Sequence, residues 1–342
     1  MKAIAMRGHG GPEVLRLEDL PDPVAGPGMV VVRVRAVALN HLDVWVRRGW
    51  HGLELSWPHV PGSDVAGVVE AIGPGAEGPR PGDEVLVSPG LSCGRCRECL
   101  SGRDNQCRHY AILGEHVSGG CAERLAVPVQ NVLPKPANLS FEQAACVPLV
   151  FLTAWHALVA RAALGPGETI LIHAGGSGVG SAAIQIAKVL GARVITTAGT
   201  DEKCRKALQL GADHAVNYAR DDFLAEVKRL TDRRGADVVF EHVGKSTWEK
   251  SLLSLVNGGR LVTVGATTGY DPFTDLRHVF YRQLSVLGST MGSKGELFQI
   301  LKFVQQGKLR PVHDRTLPLA EAAAAHRLLE DRATFGKIVL AP

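Results

Sequence analysis

Four cysteines lie close together in the stretch "CGRCRECLSGRDNQC", which runs from residue 93 to residue 107. They are Cys93, Cys96, Cys99 and Cys107. Three cysteines at intervals of three on a turning loop can direct their sulfurs inward, and a fourth completes a tetrahedron of thiolates, which suits Zn²⁺. Four thiolates leave no open position for water or substrate. The spacing therefore predicts one structural zinc per chain rather than a catalytic one.

The alternatives to zinc are a disulfide framework, a redox device and a set of free thiols on a surface loop. The chain has seven cysteines, an odd number, and its first residues, "MKAIAMRGHG", lack the apolar run and cleavage site of a signal peptide. We therefore expect a cytoplasmic protein with reduced thiols, in which a tight cysteine cluster is more often a metal site. The polar residues between the cysteines also favour a loop whose order depends on a metal.

A second kind of chemistry is indicated by the glycine-rich stretch "HAGGSGVGSAAIQIAK". Residues 168–173 are predicted to form a buried strand, residues 179–190 carry apolar side chains at helical spacing, and residues 193–197 form the next strand. Such a strand–turn–helix–strand unit places a pyrophosphate on a helix N-terminus. Ser177 departs from the G-x-G-x-x-G pattern at its second glycine. The predicted pyrophosphate contacts are Gly175, Gly176, Ser177, Gly178, Val179 and Gly180.

More strand–helix units follow the glycine-rich turn. "ADHAVNY", "ADVVFEHVG", "GRLVTVG" and "LSVLGST" have the pattern of buried strands, and helices are predicted at about 221–232, 246–256 and 275–282. Alternating strands and helices predict an α/β domain with a doubly wound parallel sheet over residues 150–290. A chain of 342 residues is also longer than one core usually supports, so a second domain is expected.

The residues after the second predicted strand bear on the choice of nicotinamide cofactor. An acid is expected there to bind the ribose 2′-hydroxyl of NAD(H), but the chain has "TAGT" and no acid until Asp201 and Glu202. Small residues leave space for a 2′-phosphate, whose charge Lys203, Arg205 or Tyr218 could meet, whereas the two acids argue for NAD(H). We favour NADP(H). The predicted contacts in this region are Gly199, Thr200, Lys203 and Tyr218.

The charge and hydropathy of the chain argue against large polyanionic or lipid partners. The formal net charge is only +4, and lysine and arginine are spread along the chain rather than gathered in blocks, so nucleic-acid binding is not expected. No apolar run approaches the roughly 18 residues of a membrane span. The best candidate, "VLGARVITTAG", is interrupted by Gly191 and Arg193. We expect a small-molecule substrate.

Taken together, these stretches resemble the zinc-type medium-chain dehydrogenase/reductase superfamily over the whole chain. "PGSDVAGVVEAIGPGAEGPRPGDEVLV" and "GGCAERLAVP" match its GroES-like domain, and the four cysteines match its structural-zinc lobe. The resemblance implies a GroES-like β-barrel catalytic domain of residues 1–149 and 291–342, with the lobe at 93–107, and a Rossmann cofactor domain of residues 150–290. It also implies a homodimer or homotetramer formed through the edge strand "LSVLGST".

The resemblance further implies which later segments contact the cofactor. Two segments that end strands would contact its ribose and nicotinamide ends, and a third would flank the carboxamide. The residues implied are His242, Val243, Gly265, Ala266, Thr267, Thr290 and Met291.

The chain departs from the superfamily's alcohol dehydrogenases at their catalytic zinc. The positions of the three zinc ligands are Asn40, Ser63 and a residue near Leu149, and the hydroxyl that relays the alcohol proton falls at Leu42. This pattern resembles the zinc-independent quinone and enone reductases, although those usually lack the four-cysteine lobe. Substitute metal ligands are available in nearby segments. They are His41, Asp43, His59, Asp64 and His156.

We therefore predict an NAD(P)(H)-dependent oxidoreductase that transfers hydride between the nicotinamide and a small carbonyl, enone or quinone acceptor without a catalytic zinc. Asn40 would hold the ribose or donate to a developing oxyanion, or cap the helix that follows it. His41 and Asp43 are the candidates for proton delivery. The alternatives are an alcohol dehydrogenase with non-standard metal ligands and a non-enzymatic NADPH-binding protein.

Overall fold

The computed structural model describes residues 1–342, which divide into two compact units. Unit 1 consists of Met1–Leu149, Ser293–Gln305 and Pro311–Pro342, and unit 2 consists of Val150–Gly292 and Gln306–Arg310. The predicted division assigns all of residues 291–342 to the first domain, whereas the short segment 306–310 lies in unit 2. The side chain of Gln185 fixes this segment, since it accepts from the N–H of Arg310 at 2.8 Å and donates to the Arg310 carbonyl at 2.9 Å.

Unit 1 is built on a mainly antiparallel sheet, as the resemblance implies for a GroES-like domain. Strands and helices are numbered in chain order. Its strands are β1 (Lys2–Ala5), β2 (Arg16–Asp19), β3 (Met29–Ala38), β4 (Asp64–Ile72), β5 (Glu84–Val87), β6 (Gly90–Leu91), β7 (Ala111–Ile112), β8 (Arg124–Pro128), β9 (Val132–Pro134), β16 (His313–Pro318) and β17 (Lys337–Ala341). Its helices are α1 (His41–Arg48), α2 (Arg97–Leu100), α3 (Phe141–Ala145), α10 (Lys294–Gln305) and α11 (Ala322–Glu330).

The main sheet of unit 1 brings distant parts of the chain together. Its order is β16-β17-β3-β4-β5-β9, with β8 also paired to β3. Alternating valines on β3 and β4 point into one apolar core, which is the pattern expected of half-buried strands. Because β17 pairs antiparallel with β3, the C-terminal strand lies beside the segment that leads into α1. This pairing sets the position of Lys337.

Unit 2 contains a parallel sheet with helices between its strands. The strands are β10 (Thr169–Ile172), β11 (Arg193–Ala198), β12 (His214–Asn217), β13 (Ala236–Glu241), β14 (Leu255–Thr263) and β15 (Ser285–Gly288). The helices are α5 (Gly178–Val189), α6 (Asp201–Gln209), α7 (Phe223–Leu230), α8 (Trp248–Leu253) and α9 (Leu276–Tyr281). The order β12-β11-β10-β13-β14-β15, with all pairs parallel, is that of a doubly wound dinucleotide-binding sheet. The predicted fold class is confirmed.

One helix of the chain is apolar and long enough to span a membrane by length and composition, although the sequence pattern predicts no such segment. The helical segment Phe141–Arg161 meets that criterion by length and composition; it includes α4 (Pro148–Trp155) and a π-helical stretch, His156–Arg161. However, 78% of its most apolar window is buried inside the protein. A buried core helix passes the same test, so the segment is weak evidence for a membrane span.

Candidate functional site

The four cysteines of the predicted metal site converge on one point of unit 1. All four Sγ atoms lie within 4.8 Å of one another, and the separations Cys93–Cys99, Cys96–Cys99, Cys96–Cys107 and Cys93–Cys107 are 3.9, 3.5, 3.7 and 3.6 Å. A tetrahedron of sulfurs about 2.3 Å from a zinc ion has edges of about 3.8 Å. The N–H of His109 points at the Cys107 sulfur, as befits a thiolate acceptor. These residues fit a zinc ion.

Polar contacts hold this lobe to the rest of unit 1. Asp104 accepts from the backbone N–H of Lys294 at 3.0 Å and from its ammonium at 3.2 Å. The same ammonium donates to the hydroxyl of Ser92, and Gln130 donates to the Ser92 carbonyl. The cysteines have little apolar packing between them, so these contacts fix the ends of the loop but not its interior.

The second site is a buried charged network at the positions that the resemblance assigns to the ligands of a catalytic zinc. Lys337 on β17 donates to the side-chain oxygen of Asn40 and lies 2.9 Å from the Asp64 carboxylate. The Asn40 nitrogen donates to the same carboxylate oxygen at 2.9 Å, and the N–H of Leu149 donates to the other at 2.8 Å. Lys337 and Asp64 are both buried. The ammonium thus lies among the residues that occupy the expected ligand positions.

The donor set at those positions does not suit zinc. The Asn40 amide is already bonded through both of its ends, and Leu149 offers no side-chain ligand. Ser63 contributes a buried hydroxyl that has no hydrogen-bond partner. Zinc prefers thiolate, imidazole and carboxylate ligands, and the nearest carboxylate, Asp64, is paired with Lys337.

Asp43 connects α1 to the loop before β4. One of its oxygens accepts from the N–H of Asn40 at 2.7 Å and the other from the N–H of Gly62 at 3.0 Å. Complete burial raises the pKa of Asp43 to about 6, against the lowering effect of these N–H donors and of Lys337. Asp43, a predicted candidate for proton delivery, therefore has both of its carboxylate oxygens bonded to backbone N–H groups.

The remaining substitute ligands do not gather at one point. His59 is buried, its Nε2 lies 3.1 Å from the carbonyl of Gly114, and burial lowers its pKa. His41 is partly exposed, with its ring edge against Trp45 at a centroid distance of 5.1 Å. His156 is buried. The four cysteines are the group of three or more histidine, cysteine or acidic side chains that the structure places close enough to share one metal ion.

In unit 2, the glycine-rich turn forms the N-terminus of α5. Ser177, which departs from the glycine pattern, is the N-cap residue of this helix, and its hydroxyl accepts from the N–H of Gly180 at 3.0 Å. Gly180 is needed for close packing, since a Cβ there would overlap the carbonyl of Ala174. Gly176, Gly178 and Val179 complete the turn and the first helical residues. The turn leads into the N-terminus of a helix of twelve residues, and the backbone N–H groups of a helix N-terminus can bind an anion such as a pyrophosphate.

The predicted 2′-position contacts surround the end of β11. Gly199 follows the strand, and a Cβ at this position would lie 2.7 Å from the hydroxyl oxygen of Tyr218. Thr200 caps α6, its hydroxyl accepting from the N–H of Lys203. Asp201 accepts from the side chain of Asn217 at 2.8 Å and lies 3.4 Å from Arg220. The nearest acid is therefore already engaged by two donors.

Hydrogen bonds tie together the segments after β13 and β14, which the resemblance assigns to the cofactor. Thr267 donates to the carbonyl of His242, and Thr268 to that of Val243. His242 donates through Nε2 to the carbonyl of His173, and burial lowers its pKa. The other predicted residues, Gly265, Ala266, Thr290 and Met291, lie in the loops that follow β14 and β15.

Comparisons with known proteins agree with this architecture. Residues 26–137 match the family model of the alcohol dehydrogenase GroES-like domain, and residues 178–306 match that of the zinc-binding dehydrogenase. The chain is 31% identical to quinone oxidoreductase of Homo sapiens, over 99% of this chain and 97% of that protein. It is 29% identical to acryloyl-coenzyme A reductase of Sulfurisphaera tokodaii over the full length of both. The chain is 56% identical in sequence to an NAD-dependent alcohol dehydrogenase of known crystal structure. The two structures superpose over the full length of both chains with a TM-score of 0.97.

The chain belongs to the zinc-type medium-chain dehydrogenase/reductase superfamily. As a member of that superfamily it is an NAD(P)-dependent oxidoreductase that acts on small molecules. The alternative of a binding protein without activity is therefore set aside.

Sequence reasoning missed several residues that matter in this medium-chain dehydrogenase/reductase. Lys337 was not identified, although a lysine in the last buried strand is itself an unusual signal. Glu241 and His173 are a buried acid and a buried histidine at strand ends. Both residues come directly before segments that are predicted to bind the cofactor, and this position in the sequence could have indicated their importance.

Proposed function

We propose that this protein transfers a hydride between NAD(P)(H) and a small carbonyl, enone or quinone acceptor, without a catalytic zinc. The observation that carries the proposal is the Lys337 ammonium between Asn40 and Asp64. A metal ion bound to Asp64 would have to displace this ammonium from two buried acceptors, and the displaced ammonium would then be left without its ion-pair partner in a dry environment. The protonated lysine supplies the positive charge that this buried carboxylate needs.

When bound, the reduced nicotinamide supplies the hydride. The chain's own residues bind and orient it: the Gly175–Gly180 turn holds the pyrophosphate at the α5 N-terminus, and His242 and Val243 hold the ribose. Asn40 serves as a member of the Lys337 network rather than as an oxyanion donor, because its amide is fully bonded. His41, which is partly exposed, is the residue we assign to proton delivery to the reduced acceptor.

We also propose a structural zinc on Cys93, Cys96, Cys99 and Cys107. Support comes from the tetrahedral spacing of the sulfurs and from the absence of a catalytic open position in a four-thiolate set. We propose a cytoplasmic location as well, because an odd count of seven cysteines with a tight metal-binding cluster suits a compartment where thiols stay reduced.

For the cofactor, we propose NADP(H) over NAD(H). The support is the run Ala198, Gly199 and Thr200, which has no acid to bind a 2′-hydroxyl, and the engagement of Asp201 by Asn217 and Arg220. The 56% identical structure is of an NAD-dependent enzyme, which is the competing assignment. A kcat/KM for NADPH roughly tenfold or more above that for NADH would support NADP(H), and the reverse ratio would assign NAD(H).

The metal content of natively purified protein tests the zinc-free mechanism, together with turnover of a quinone, an enone and an alcohol panel. One zinc per chain, with reduction of a quinone or enone, is the expected result. The second candidate function is an alcohol dehydrogenase with a non-standard catalytic metal, which the 56% identity favours. Two metal ions per chain, with alcohol oxidation lost when one of them is removed, would replace our proposal with this candidate.

We further propose that the protein is a homo-oligomer through the edge strand β15. The strand has one unpaired side in the sheet, and Val286 on it is exposed. Large exposed apolar side chains lie on the segment before it. They are Tyr270, Phe273, Leu276, Phe280 and Tyr281. Exposed apolar side chains beside an open strand are typical of an interface between copies.

A further inference from the structure

A buried chain of hydrogen bonds in unit 2 begins at the carboxylate of Glu241, at the end of β13. One of its oxygens accepts from the N–H groups of Val243 and Gly244, at 2.7 and 3.0 Å. The other accepts from the hydroxyls of Thr247 and Ser251, at 2.9 and 2.7 Å. Glu241 is completely buried, and four donors satisfy its charge. The carboxylate therefore fixes the segment that follows β13.

The same chain continues through His173 to the glycine-rich turn. Because the Ser251 hydroxyl donates to Glu241, it must accept from His173 Nε2, which lies 2.8 Å away. In the neutral ring Nδ1 then accepts a hydrogen bond from the hydroxyl of Thr197, 3.3 Å away. The Thr197 oxygen in turn accepts from the N–H of Ala174 at 3.1 Å. We name these residues, from Glu241 through Ser251, His173 and Thr197 to Ala174, the buried relay.

The directions of the bonds in the buried relay follow from a neutral His173 with its proton on Nε2. Burial lowers the pKa of His173 to about 4, although the carboxylate of Glu241, 3.6 Å away, opposes this. The neutral ring with its proton on Nε2 is thus present at neutral pH. Aligned hydrogen bonds of this kind polarise one another in a low dielectric.

The buried relay ends where the backbone takes an unusual conformation. Ala174 has a φ of +45°, which is uncommon for a residue with a side chain, and its N–H is the one held by Thr197. The next N–H, of Gly175, donates to the Thr197 carbonyl at 2.8 Å. Ala174 thus turns the chain from β10 into the glycine-rich turn.

We propose that Glu241, Ser251, His173 and Thr197 are positioning residues that set the two cofactor-binding segments, the glycine-rich turn and residues 242–244, in one fixed geometry. The inference rests on the proposed function, because it assumes that these segments bind the dinucleotide. None of the four residues needs to touch the cofactor. Breaking the relay should weaken cofactor binding while leaving the chemistry at saturating cofactor unchanged.

The chain offers two matched pairs of variants for the test. Ser251→Ala removes a relay hydroxyl, whereas Ser254→Ala removes a buried hydroxyl that donates to the carbonyl of Lys250. Thr197→Val removes the hydroxyl next to the glycine-rich turn, whereas Thr196→Val removes a buried hydroxyl that donates to the carbonyl of Ile172. Each control loses one buried hydrogen bond to a backbone carbonyl, whereas each relay variant loses two bonds, so Tm is measured beside Kd to separate lost stability from lost binding.

The measurements are Kd for NADH and NADPH by fluorescence titration, KM and kcat, and Tm. At a temperature where all variants are fully folded, we expect Ser251→Ala and Thr197→Val to raise the cofactor Kd and KM roughly fivefold or more over their controls, with kcat within about twofold. Ser251→Thr, which keeps the hydroxyl, should restore the wild-type Kd. If one variant does not fold, the other pair decides.

Equal Kd values within both pairs would overturn the relay proposal while leaving the proposed function intact. A wild-type protein that binds neither NADH nor NADPH would instead overturn the proposed function, and the relay proposal with it.

Discussion

Lys337 is the residue on which the proposed zinc-free chemistry depends. Its ammonium is buried, but the carboxylate of Asp64 balances its charge, and its N–H groups donate hydrogen bonds to Asp64 and Asn40. A buried ion pair of this kind contributes little net stability over an apolar pair, but removing one partner leaves the other charge unpaired. The lysine is therefore expected to be essential to the fold of this region even if it never contacts substrate.

We predict that Lys337→Met lowers the free energy of unfolding by about 3–5 kcal/mol, because Asp64 becomes a buried carboxylate without a cationic partner. Chemical denaturation measures this. The control is Lys188→Met, which removes an ion pair of similar length, 2.8 Å to Asp213, at a partly exposed site. Its expected cost is at most about 1 kcal/mol. Equal losses in the two variants would contradict the prediction.

A second residue-scale prediction concerns His326 on α11, which is buried and in contact with Arg47 on α1 at 3.3 Å. Burial, assisted by the charge of Arg47, lowers the pKa of His326 to about 3. As pH falls below the unfolded value of about 6.5, the unfolded chain gains a proton that the folded protein does not. This residue therefore destabilises the fold progressively between about pH 6.5 and pH 3.

His326→Gln should remove that contribution. Relative to the wild type, the free energy of unfolding of the variant should rise by about 1.4 kcal/mol for each pH unit below 6.5. Urea denaturation at pH 8 and pH 5 measures the difference. A difference between variant and wild type that does not change with pH would show that His326 is not held neutral by the fold.

At the scale of elements, the lobe of residues 93–107 contrasts with the glycine-rich turn. The turn is held by the regular structure on either side, by the Ser177 cap and by the packing of Gly180. The lobe contains only the four-residue helix α2 and a short 3₁₀ turn, and its four sulfurs are its main point of convergence. Its order is therefore expected to come from the metal.

Cys96→Ser tests this expectation. We predict that the variant loses its zinc and that proteolysis cleaves the lobe, since one weak ligand in four opens the site. Metal analysis and limited proteolysis measure the two effects. Cys204→Ser is the control, because Cys204 is a buried cysteine on α6 outside the cluster. Retention of one zinc by Cys96→Ser would show that the four cysteines do not form the site.

The elements also explain what the sequence could and could not predict. The parallel sheet and its helices follow from local apolar patterns, so α7, α8 and α9 lie within about three residues of their predicted bounds. Ser177 is a departure from the glycine pattern, but a serine directly before an apolar helical repeat also predicts a helix N-cap, which is the role it has. The Lys337 network joins residues 273 positions apart, and no local pattern records such a contact. The sequence pattern makes Asp43 a candidate for proton transfer. Its two backbone donors, the N–H groups of Asn40 and Gly62, depend on tertiary structure and could not be predicted from the sequence.

At the scale of the whole molecule, the open edge of unit 2 is the surface through which we propose that copies of the chain associate. A parallel sheet that ends in an exposed strand leaves backbone donors and acceptors unpaired along β15. Pairing with a second β15 would satisfy them and cover the exposed apolar side chains before the strand. A C₂ axis beside this edge is the simplest closed arrangement.

We predict that Val286→Lys converts the oligomer to a monomer of 36.4 kDa, because a charge is introduced at the centre of the proposed interface. Light scattering after gel filtration measures the mass. Leu208→Lys on α6 is the control, since Leu208 is 44% exposed and Val286 43%. A wild-type protein that is already monomeric, or a Val286→Lys variant that keeps the oligomer mass, would exclude this interface.

The close approach of the four sulfurs has a consequence for handling the protein. Thiols that lie 3.5–3.9 Å apart need only small movements to form disulfides once no metal holds them. Air oxidation of the metal-free protein would then join the cysteines of the lobe in disulfides, and added zinc alone would not reduce them. Removing the metal under reductant should be reversible, whereas removing it in air should not. The metal would thus act as a protecting group for the thiols that bind it.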